Sequence, residues 1–180
     1  MIMAIISKKL CMIGDFGVGK TSLIRRFVER QFSDQYLSTV GVKISRKIIN
    51  LQHIEADLSQ EIKLLIWDIE GQTKFKAIAS SYLQGASGIL VVADSTRPET
   101  IDHLQDHVKQ FVSINSNGMI AVALNKIDLM DSEDIEQIRK NISFSEHQML
   151  GIYNTSAKTG QNVDHIFETL ALKIWRQDNE

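Results

Sequence analysis

Apolar segments of two lengths alternate along the chain. Short runs of strand length lie at 9–13, 43–51, 61–69, 88–94, 119–125 and 151–157. Longer segments, in which apolar residues recur every three or four positions as on one face of a helix, lie at 21–32, 98–112, 131–142 and 163–174. Strands that alternate with helices predict a doubly wound α/β fold.

The strand-length runs differ in a way that predicts how the strands pair. The segments 88–94 and 119–125 are apolar up to their last residues, Asp94 and Asn125, which is typical of parallel strands buried on both faces. The segments 43–51 and 61–69 alternate and predict an antiparallel pair, with 53–60 as the tip of an extended hairpin. We therefore expect a mostly parallel six-stranded sheet with one antiparallel edge strand and helices on both faces. Ligands of such sheets bind at the carboxyl ends of the strands.

Composition narrows the class of protein. The chain has 180 residues, enough for one core, and we expect a single domain over 1–180. Its formal net charge is −2 and it has no long basic block, so we expect no nucleic-acid partner. The one cysteine, Cys11, lies in an apolar run and is predicted to be a buried thiol.

The ends of the chain and the apolar runs bear on its location. No run approaches the roughly 20 residues that span a bilayer. As written, the chain carries no signal for myristoylation or prenylation, so we expect a cytoplasmic monomer without a lipid anchor.

The start of one helix is also predicted, because Thr96 and Glu99 form a possible capping box with Pro98 in the first turn.

The segment GDFGVGKT, residues 14–21, matches the phosphate-loop pattern G-x-x-x-x-G-K-[ST] between a predicted strand and a predicted helix. Glycines let backbone N–H groups face phosphate oxygens, and the following helix presents its positive end. Lys20 would reach the β- and γ-phosphates, and the hydroxyl of Thr21 would bind Mg²⁺. A glycine-rich turn is the alternative reading, and the loop alone does not distinguish ATP from GTP.

Two further loops suggest which base is bound. In NKID, residues 125–128, Asp128 could accept hydrogen bonds from the N1–H and the 2-amino group of guanine, and adenine has no such donor pair. Taken alone, this segment is also compatible with an ordinary polar loop after a strand. Residues 156–158 follow another predicted strand, where a second loop could contact the base.

Together, GDFGVGKT, DIEGQ (68–72), NKID and TSAKTGQNVDHIF (155–167) resemble the Ras-type small GTPases, and the Rab branch most of all, from about Lys8 to Trp175. The resemblance implies a P-loop G domain that binds GTP or GDP with Mg²⁺ and hydrolyses GTP. It also implies effector, exchange-factor and activating proteins that bind the switch regions. The nucleotide-binding residues that it implies are Gly14, Asp15, Phe16, Gly17, Val18, Gly19, Lys20, Thr21, Ser22, Phe32, Thr39, Asp68, Gly71, Asn125, Lys126, Asp128, Ser156, Ala157 and Lys158.

The resemblance also implies roles in catalysis. Thr21, Thr39 and Asp68 would hold Mg²⁺. The catalytic residues would be Lys20, Gly71, whose N–H would bind the γ-phosphate, and Gln72, which would orient the attacking water. Loss of the γ-phosphate would then release the loops around Thr39 and Gly71.

Other implied roles concern the base and the effectors. Phe32 would lie over the sugar and base, although its place at the end of a helix also suits a core residue. Ile44, Trp67 and Tyr82 would form an apolar face for effectors, and a half-buried strand position is the alternative for Trp67.

Three features depart from the family pattern. Phe16 replaces a small residue over the γ-phosphate, and its ring would crowd the arginine of an activating protein, which is worth about 10³–10⁵ in rate. Glu70 replaces a small residue beside the triphosphate. The hairpin is about six residues longer than usual, which predicts a longer loop. We expect slow GTP hydrolysis, unless Phe16 and Glu70 turn to solvent as tolerated variants.

Alternatives remain open at this stage. One is a binding module that holds GTP permanently, and another is a P-loop kinase or ATPase, which the segment 156–158 disfavours. Rab-like proteins are usually anchored through a C-terminal cysteine, so the chain is either truncated or never anchored. His103 and His107, four residues apart on a predicted helix, could share a metal, but no third ligand is visible and a solvated face is the simpler reading.

Overall fold

We describe the fold from a computed structural model, which describes residues 5–35, 38–71, 76–146 and 148–179. A six-stranded sheet runs in the order β2-β3-β1-β4-β5-β6. Strands β3, β1, β4, β5 and β6 are parallel, and the edge strand β2 is antiparallel to β3. The strands are β1 (Ile6–Ile13), β2 (Val42–Asn50), β3 (Glu61–Ile69), β4 (Gly88–Asp94), β5 (Met119–Asn125) and β6 (Met149–Asn154).

Helices cover both faces of this sheet. Within the described residues they are α1 (Lys20–Glu29), α2 (Lys76–Leu83), α3 (Pro98–Asp102), α4 (Leu104–Ile114), α5 (Ser132–Lys140) and α6 (Val163–Asn179). Consecutive side chains of β1 lie on opposite faces of the sheet, since Leu10 and Met12 belong to one core cluster while Cys11 and Ile13 belong to the other. The predicted doubly wound fold with one antiparallel edge strand is confirmed.

The two core clusters hold the helices in place. On one face α1 and α6 meet through Phe27 and Phe167, whose stacked rings have centroids 4.3 Å apart. On the other face Phe111 of α4 is fully buried. Cys11 lies in this second cluster, and burial raises the pKa of its thiol to about 12. None of the described helices is long and apolar enough to cross a bilayer.

The helix predicted over 98–112 begins as expected but is interrupted. Pro98 occupies the first turn of α3. The helix is interrupted at His103, and α4 begins at the next residue. The predicted capping box is wrong, because the Thr96 hydroxyl donates to the Asp94 carboxylate at 2.6 Å instead of capping the helix. Arg97 is the N-cap, and its side chain does not cap the helix.

The extended hairpin tip is folded rather than a simple longer loop. It begins with a 3₁₀ turn, Leu51–His53, in which the Asn50 side chain accepts a hydrogen bond from the Gln52 N–H. Leu51 is fully buried, and Glu55 forms an ion pair with Arg176 of α6. The tip therefore packs on the last helix, on the face of the sheet that carries α1.

Candidate functional site

A cleft of about 310 Å³ lies at the carboxyl ends of the parallel strands. Such a volume is within the range of small-ligand sites, and the position is the one expected for a doubly wound sheet. The residues predicted to bind nucleotide that line the cleft are Phe16, Gly17, Gly19, Lys20, Thr21, Ser22, Phe32, Thr39, Gly71, Asn125, Lys126, Asp128, Ala157 and Lys158. The sequence therefore located most of the cleft wall.

The phosphate loop joins β1 to α1 and needs glycine where it passes β5. Gly19 has φ 100°, and a Cβ there would lie 2.3 Å from Nδ2 of Asn125. That amide nitrogen donates to the Val18 carbonyl at 3.0 Å, which ties the loop to the end of β5. The described side chains do not cap the first turn of α1, and Lys20, Thr21 and Ser22 of that turn line the cleft.

Lys20 is buried beneath this loop. Its Nζ donates to the carbonyl oxygens of Gly14 and Asp15, at 2.8 and 2.9 Å. Burial lowers the pKa of Lys20 to about 8, although nearby carboxylates, Asp68 foremost, oppose the shift. A bound phosphate would offer this ammonium group a charged partner.

Three oxygen-bearing side chains converge at the start of α1. The Thr21 hydroxyl donates to Oδ2 of Asp68 at 2.5 Å and lies 2.8 Å from the Thr39 hydroxyl. The Thr39 hydroxyl also donates to Asp68 Oδ2, at 3.3 Å. Oδ1 of Asp68 is buried and has no partner among the described residues. Burial raises the pKa of Asp68, against the hydrogen bond from Thr21. Oxygen donors of this kind fit Mg²⁺.

Gly71 packs directly on the phosphate loop. A Cβ at this position would lie 2.6 Å from the backbone carbon of Asp15, so a side chain would force the two segments apart. The following residue, Gln72, lies outside the described residues, and its predicted role as the water-orienting group stays a prediction.

At the other end of the cleft, Asp128 is held by a neighbouring loop. The Ser156 hydroxyl donates to Asp128 Oδ1 at 2.5 Å and also accepts the Thr159 N–H. Oδ1 of Asn125 accepts the Ala157 N–H at 3.3 Å. These bonds join the loops after β5 and β6, so both loops contribute to one wall.

Lys126 spans the distance between the two ends of the cleft. Its backbone adopts φ 65°, and its Nζ donates to the Gly17 carbonyl at 2.9 Å. The same Nζ pairs with the buried carboxylate of Asp94 at 2.6 Å. The sequence did not single out Asp94, because its partner Lys126 lies 32 positions further along the chain.

Known proteins are similar to this chain over most of its length. A family model described as the Ras family matches residues 9–176. Ras-related protein Rab-13 of Canis lupus familiaris is 36% identical over 167 residues, which cover 92% of this chain and 79% of that protein. Ras-related protein Rab-13 of Bos taurus is 35% identical with the same coverage. Ras-related protein Rab-1 of Theileria annulata is 36% identical over 166 residues, which cover 91% of this chain and 72% of that protein.

The chain belongs to the Ras family of small GTPases. The predicted resemblance, including its proximity to the Rab branch, is confirmed, and so is the prediction of a GTPase. The alternative of a P-loop kinase or ATPase is excluded by the same matches.

Some predicted residues of this small GTPase lie behind the cleft wall rather than in it. Gly14 and Val18 are buried residues of the phosphate loop itself, and Asp68 lies behind the Thr21 hydroxyl. Ser156 supports Asp128 from behind. The Asp15 carboxylate is turned away from the cleft and contacts His103 and His107 of the α3–α4 segment. The two histidines therefore do not form a merely solvated face.

The sequence missed an arginine that supports the loop after β6. Arg26 of α1 donates through Nε to the Ala157 carbonyl at 2.7 Å and through Nη2 to the Lys158 carbonyl at 2.5 Å. Its guanidinium carbon lies 5.9 Å from the ring centroid of Phe32, which also packs against the core. Phe32 thus lines the cleft and contacts the core, and its place over the sugar and base stays a prediction.

The two atypical residues of this GTPase behave differently. Phe16 is 42% exposed at the cleft wall, and its carbonyl accepts a hydrogen bond from Arg97 at 2.8 Å. The Glu70 carboxylate accepts the Gly41 N–H at 2.8 Å, and the Glu70 N–H donates to the Gly41 carbonyl at 2.9 Å. Glu70 is therefore engaged by the segment that precedes β2 rather than turned to solvent.

The proposed effector face is continuous. Ile44 is 46% exposed and pairs in register with Trp67 across β2 and β3. The Trp67 ring is half-buried and lies 6.3 Å from the Tyr82 ring, measured between centroids. The ammonium group of Lys9 lies 3.9 Å from the centroid of the Trp67 ring. An aromatic and aliphatic patch thus lies beside the switch segments.

Proposed function

We propose that this small GTPase is a Mg²⁺-dependent switch that binds GTP and GDP, hydrolyses GTP slowly on its own, and binds effectors through Ile44, Trp67 and Tyr82. The main support for the proposal is the placement of charged and polar groups along the cleft. A single cleft has Lys20 and the oxygen cluster of Thr21, Thr39 and Asp68 at one end, and Asp128 at the other. A nucleoside polyphosphate has its charge and its base at the matching ends.

The phosphate end would be held by this chain's own charges and dipoles. Lys20 would exchange its two carbonyl partners for phosphate oxygens, and the N–H groups at the start of α1 would face the same oxygens. Thr21, Thr39 and Asp68 would hold the metal. Bound Mg²⁺ would supply charge neutralisation at the phosphates.

The base end would be read by hydrogen bonding. Asp128 would accept two hydrogen bonds from guanine, while Ala157 would offer its N–H and Phe32 would cover the sugar edge. Ser156 and Arg26 would hold these groups in place, since they bond to the carboxylate and to the loop carbonyls.

Hydrolysis would depend on Gly71 and Gln72, and the Phe16 ring would restrict it. Gly71 would give its N–H to the γ-phosphate, and Gln72 would orient water. The exposed ring of Phe16 lies at the cleft, where a partner's arginine would have to enter.

We expect Phe16→Gly to raise the rate of GTP hydrolysis in the presence of an activating protein that supplies an arginine. The upper bound is the roughly 10³–10⁵-fold effect of such a residue, and we expect at least a tenfold gain. Single-turnover hydrolysis of radiolabelled GTP measures it. Phe16→Leu, which keeps the bulk, is the matched control and should leave the rate low. Equal rates for the wild type and Phe16→Gly would show that the ring is no obstacle.

A second candidate is a binding module that holds GTP almost permanently and does not turn it over. The paired hydrogen bonds between Glu70 and Gly41 favour it, because they join the two switch segments without using a γ-phosphate. Nucleotide extracted from the purified protein separates the candidates. GDP would indicate a working switch, and GTP would indicate the locked module. Glu70→Ala should shift a locked protein towards GDP.

A further inference from the structure

The Asp15 carboxylate is shared by two histidines outside the cleft. Oδ2 lies 2.6 Å from Nδ1 of His103, and Oδ1 lies 3.0 Å from Nε2 of His107. The Asp15 side chain is 16% exposed, whereas those of His103 and His107 are 53% and 24% exposed. We call these three residues the Asp15 clamp. Each carboxylate oxygen has its own imidazole, so the side chain is fixed in orientation.

The backbone of Asp15 is where several parts of the site meet. Its carbonyl accepts the Lys20 ammonium at 2.9 Å, and Gly71 packs against that same carbonyl. The next carbonyl, that of Phe16, accepts the Arg97 guanidinium. A displacement of Asp15 would therefore move the phosphate loop relative to Lys20 and to Gly71 together.

We propose that His103 and His107 are positioning residues, which hold the phosphate loop closed through Asp15 and so slow the release of bound nucleotide in a proton-dependent way. This inference rests on the proposed nucleotide-binding function. It assigns to the α3–α4 segment a control over nucleotide release.

The charges around the clamp set the direction of the pH dependence. The hydrogen bond and the charge of Asp15 raise the pKa of His103 above its usual 6.5, with smaller contributions from Asp106 and Asp102 on the same helical segment. Burial acts to raise the pKa of Asp15, but the hydrogen bonds and charges of both histidines outweigh it and lower that pKa below 3.8. Asp15 is therefore ionised throughout the range in which histidine titrates.

Other charged groups that face the clamp come from the phosphate loop and from the start of α3. They are the Lys20 ammonium, which interacts electrostatically with Asp15, and the Arg97–Glu99 pair, of which Glu99 also interacts with Asp15. Because the His103 pKa is raised, its charged contact is fully formed below about pH 6.5 and is lost as the pH rises through the raised pKa.

A shared metal ion does not explain the cluster. Among the described residues no three or more His, Cys, Asp or Glu side chains are placed to hold a metal. The imidazole nitrogens are directed at the carboxylate oxygens themselves, at hydrogen-bonding distance. The arrangement is therefore one of charge-assisted hydrogen bonds.

Stopped-flow release of a fluorescent GDP analogue, with Mg²⁺ present, tests the inference between about pH 6 and about pH 8.5, the range in which a raised histidine pKa titrates. We expect release to be about three- to fivefold slower at the acid end, the effect of a partly exposed ion pair. His103→Gln with His107→Gln should release quickly at every pH and lose the dependence, as should Asp15→Asn. His53→Gln, an exposed histidine on the hairpin tip, is the matched control and should keep the wild-type profile.

The outcomes separate this inference from the proposed function. Binding of the analogue by the wild type with a profile that the histidine and Asp15 variants leave unchanged would overturn the clamp alone. No binding by the folded wild type would overturn both proposals. Should the double variant fail to fold, His103→Gln alone decides the matter, because that side chain is the more exposed of the two and its loss still removes the charged contact.

Discussion

Replacing Asp128 with alanine is expected to lower the affinity for GTP by about 10²–10⁴-fold, since each of two hydrogen bonds to a charged acceptor contributes about 1.5–3 kcal/mol. The affinity for ATP should hardly change, because adenine offers no donor pair to this carboxylate. Titration of a fluorescent nucleotide, displaced by GTP or by ATP, measures both affinities. The selectivity for guanine is thus expected to reside in one side chain.

Two companion variants make this test specific. Asp131→Ala removes an exposed carboxylate three residues further on and should leave the affinity unchanged. Asp128→Asn replaces one acceptor with a donor and should favour xanthosine triphosphate, whose base keeps the N1–H but carries a carbonyl in place of the 2-amino group. Tight GTP binding by Asp128→Ala would contradict this reading of the base.

The second large effect is expected at the phosphate end. Lys20→Ala should weaken GTP binding by about 10²–10⁴-fold, because two charge-assisted contacts to phosphate would be lost at about 1.5–3 kcal/mol each. The loss should be larger for GTP than for GMP, which has no β- or γ-phosphate. Direct titration of both nucleotides measures the difference.

Weaker GTP binding by Lys20→Ala must be distinguished from a structural effect on the phosphate loop. Lys20 also bonds the carbonyls of Gly14 and Asp15, so its removal could loosen the loop without any role in phosphate binding. Lys20→Gln retains donors without the charge and is the matched control. If Lys20→Gln binds GTP as the wild type does, the positive charge is not what holds the phosphates. Thermal unfolding of each variant confirms that the fold is kept.

The sheet was predictable where burial is uniform. The bounds of β4 and β5 match the runs 88–94 and 119–125, because parallel strands covered on both faces are apolar along most of their length, and here only the last residues, Asp94 and Asn125, are polar. The last strand was less predictable. It begins at Met149, earlier than the run 151–157 suggests, and the chain leaves the strand after Asn154 to form the loop of Ser156 and Ala157.

Local patterns misled where tertiary contacts compete for the same group. The spacing of Ile101, Leu104 and Val108 continues across the break at His103, so the pattern could not show two helices. The Thr96 hydroxyl was expected to cap a helix, but the buried carboxylate of Asp94 needs a donor and takes it. A sequence does not reveal which of two nearby groups a hydroxyl will bond.

The cleft was predictable to the extent that its residues form contiguous motifs. Residues 14–21 and 125–128 can be read directly, because adjacent residues make the site. The contacts of Arg26, His103 and His107 were not predicted, since each joins residues more than 85 positions apart along the chain. The spacing of the two histidines was visible, but their partner Asp15 was not.

The proposed function requires above all that a guanine nucleotide fills the cleft between Lys20 and Asp128. Isothermal titration of the nucleotide-free wild type with GTP and, separately, with ATP, both in Mg²⁺, tests this directly. We expect GTP to bind at least about 10²-fold more tightly than ATP, the lower bound for two hydrogen bonds to a carboxylate. Equal affinities, or a preference for ATP, would contradict it.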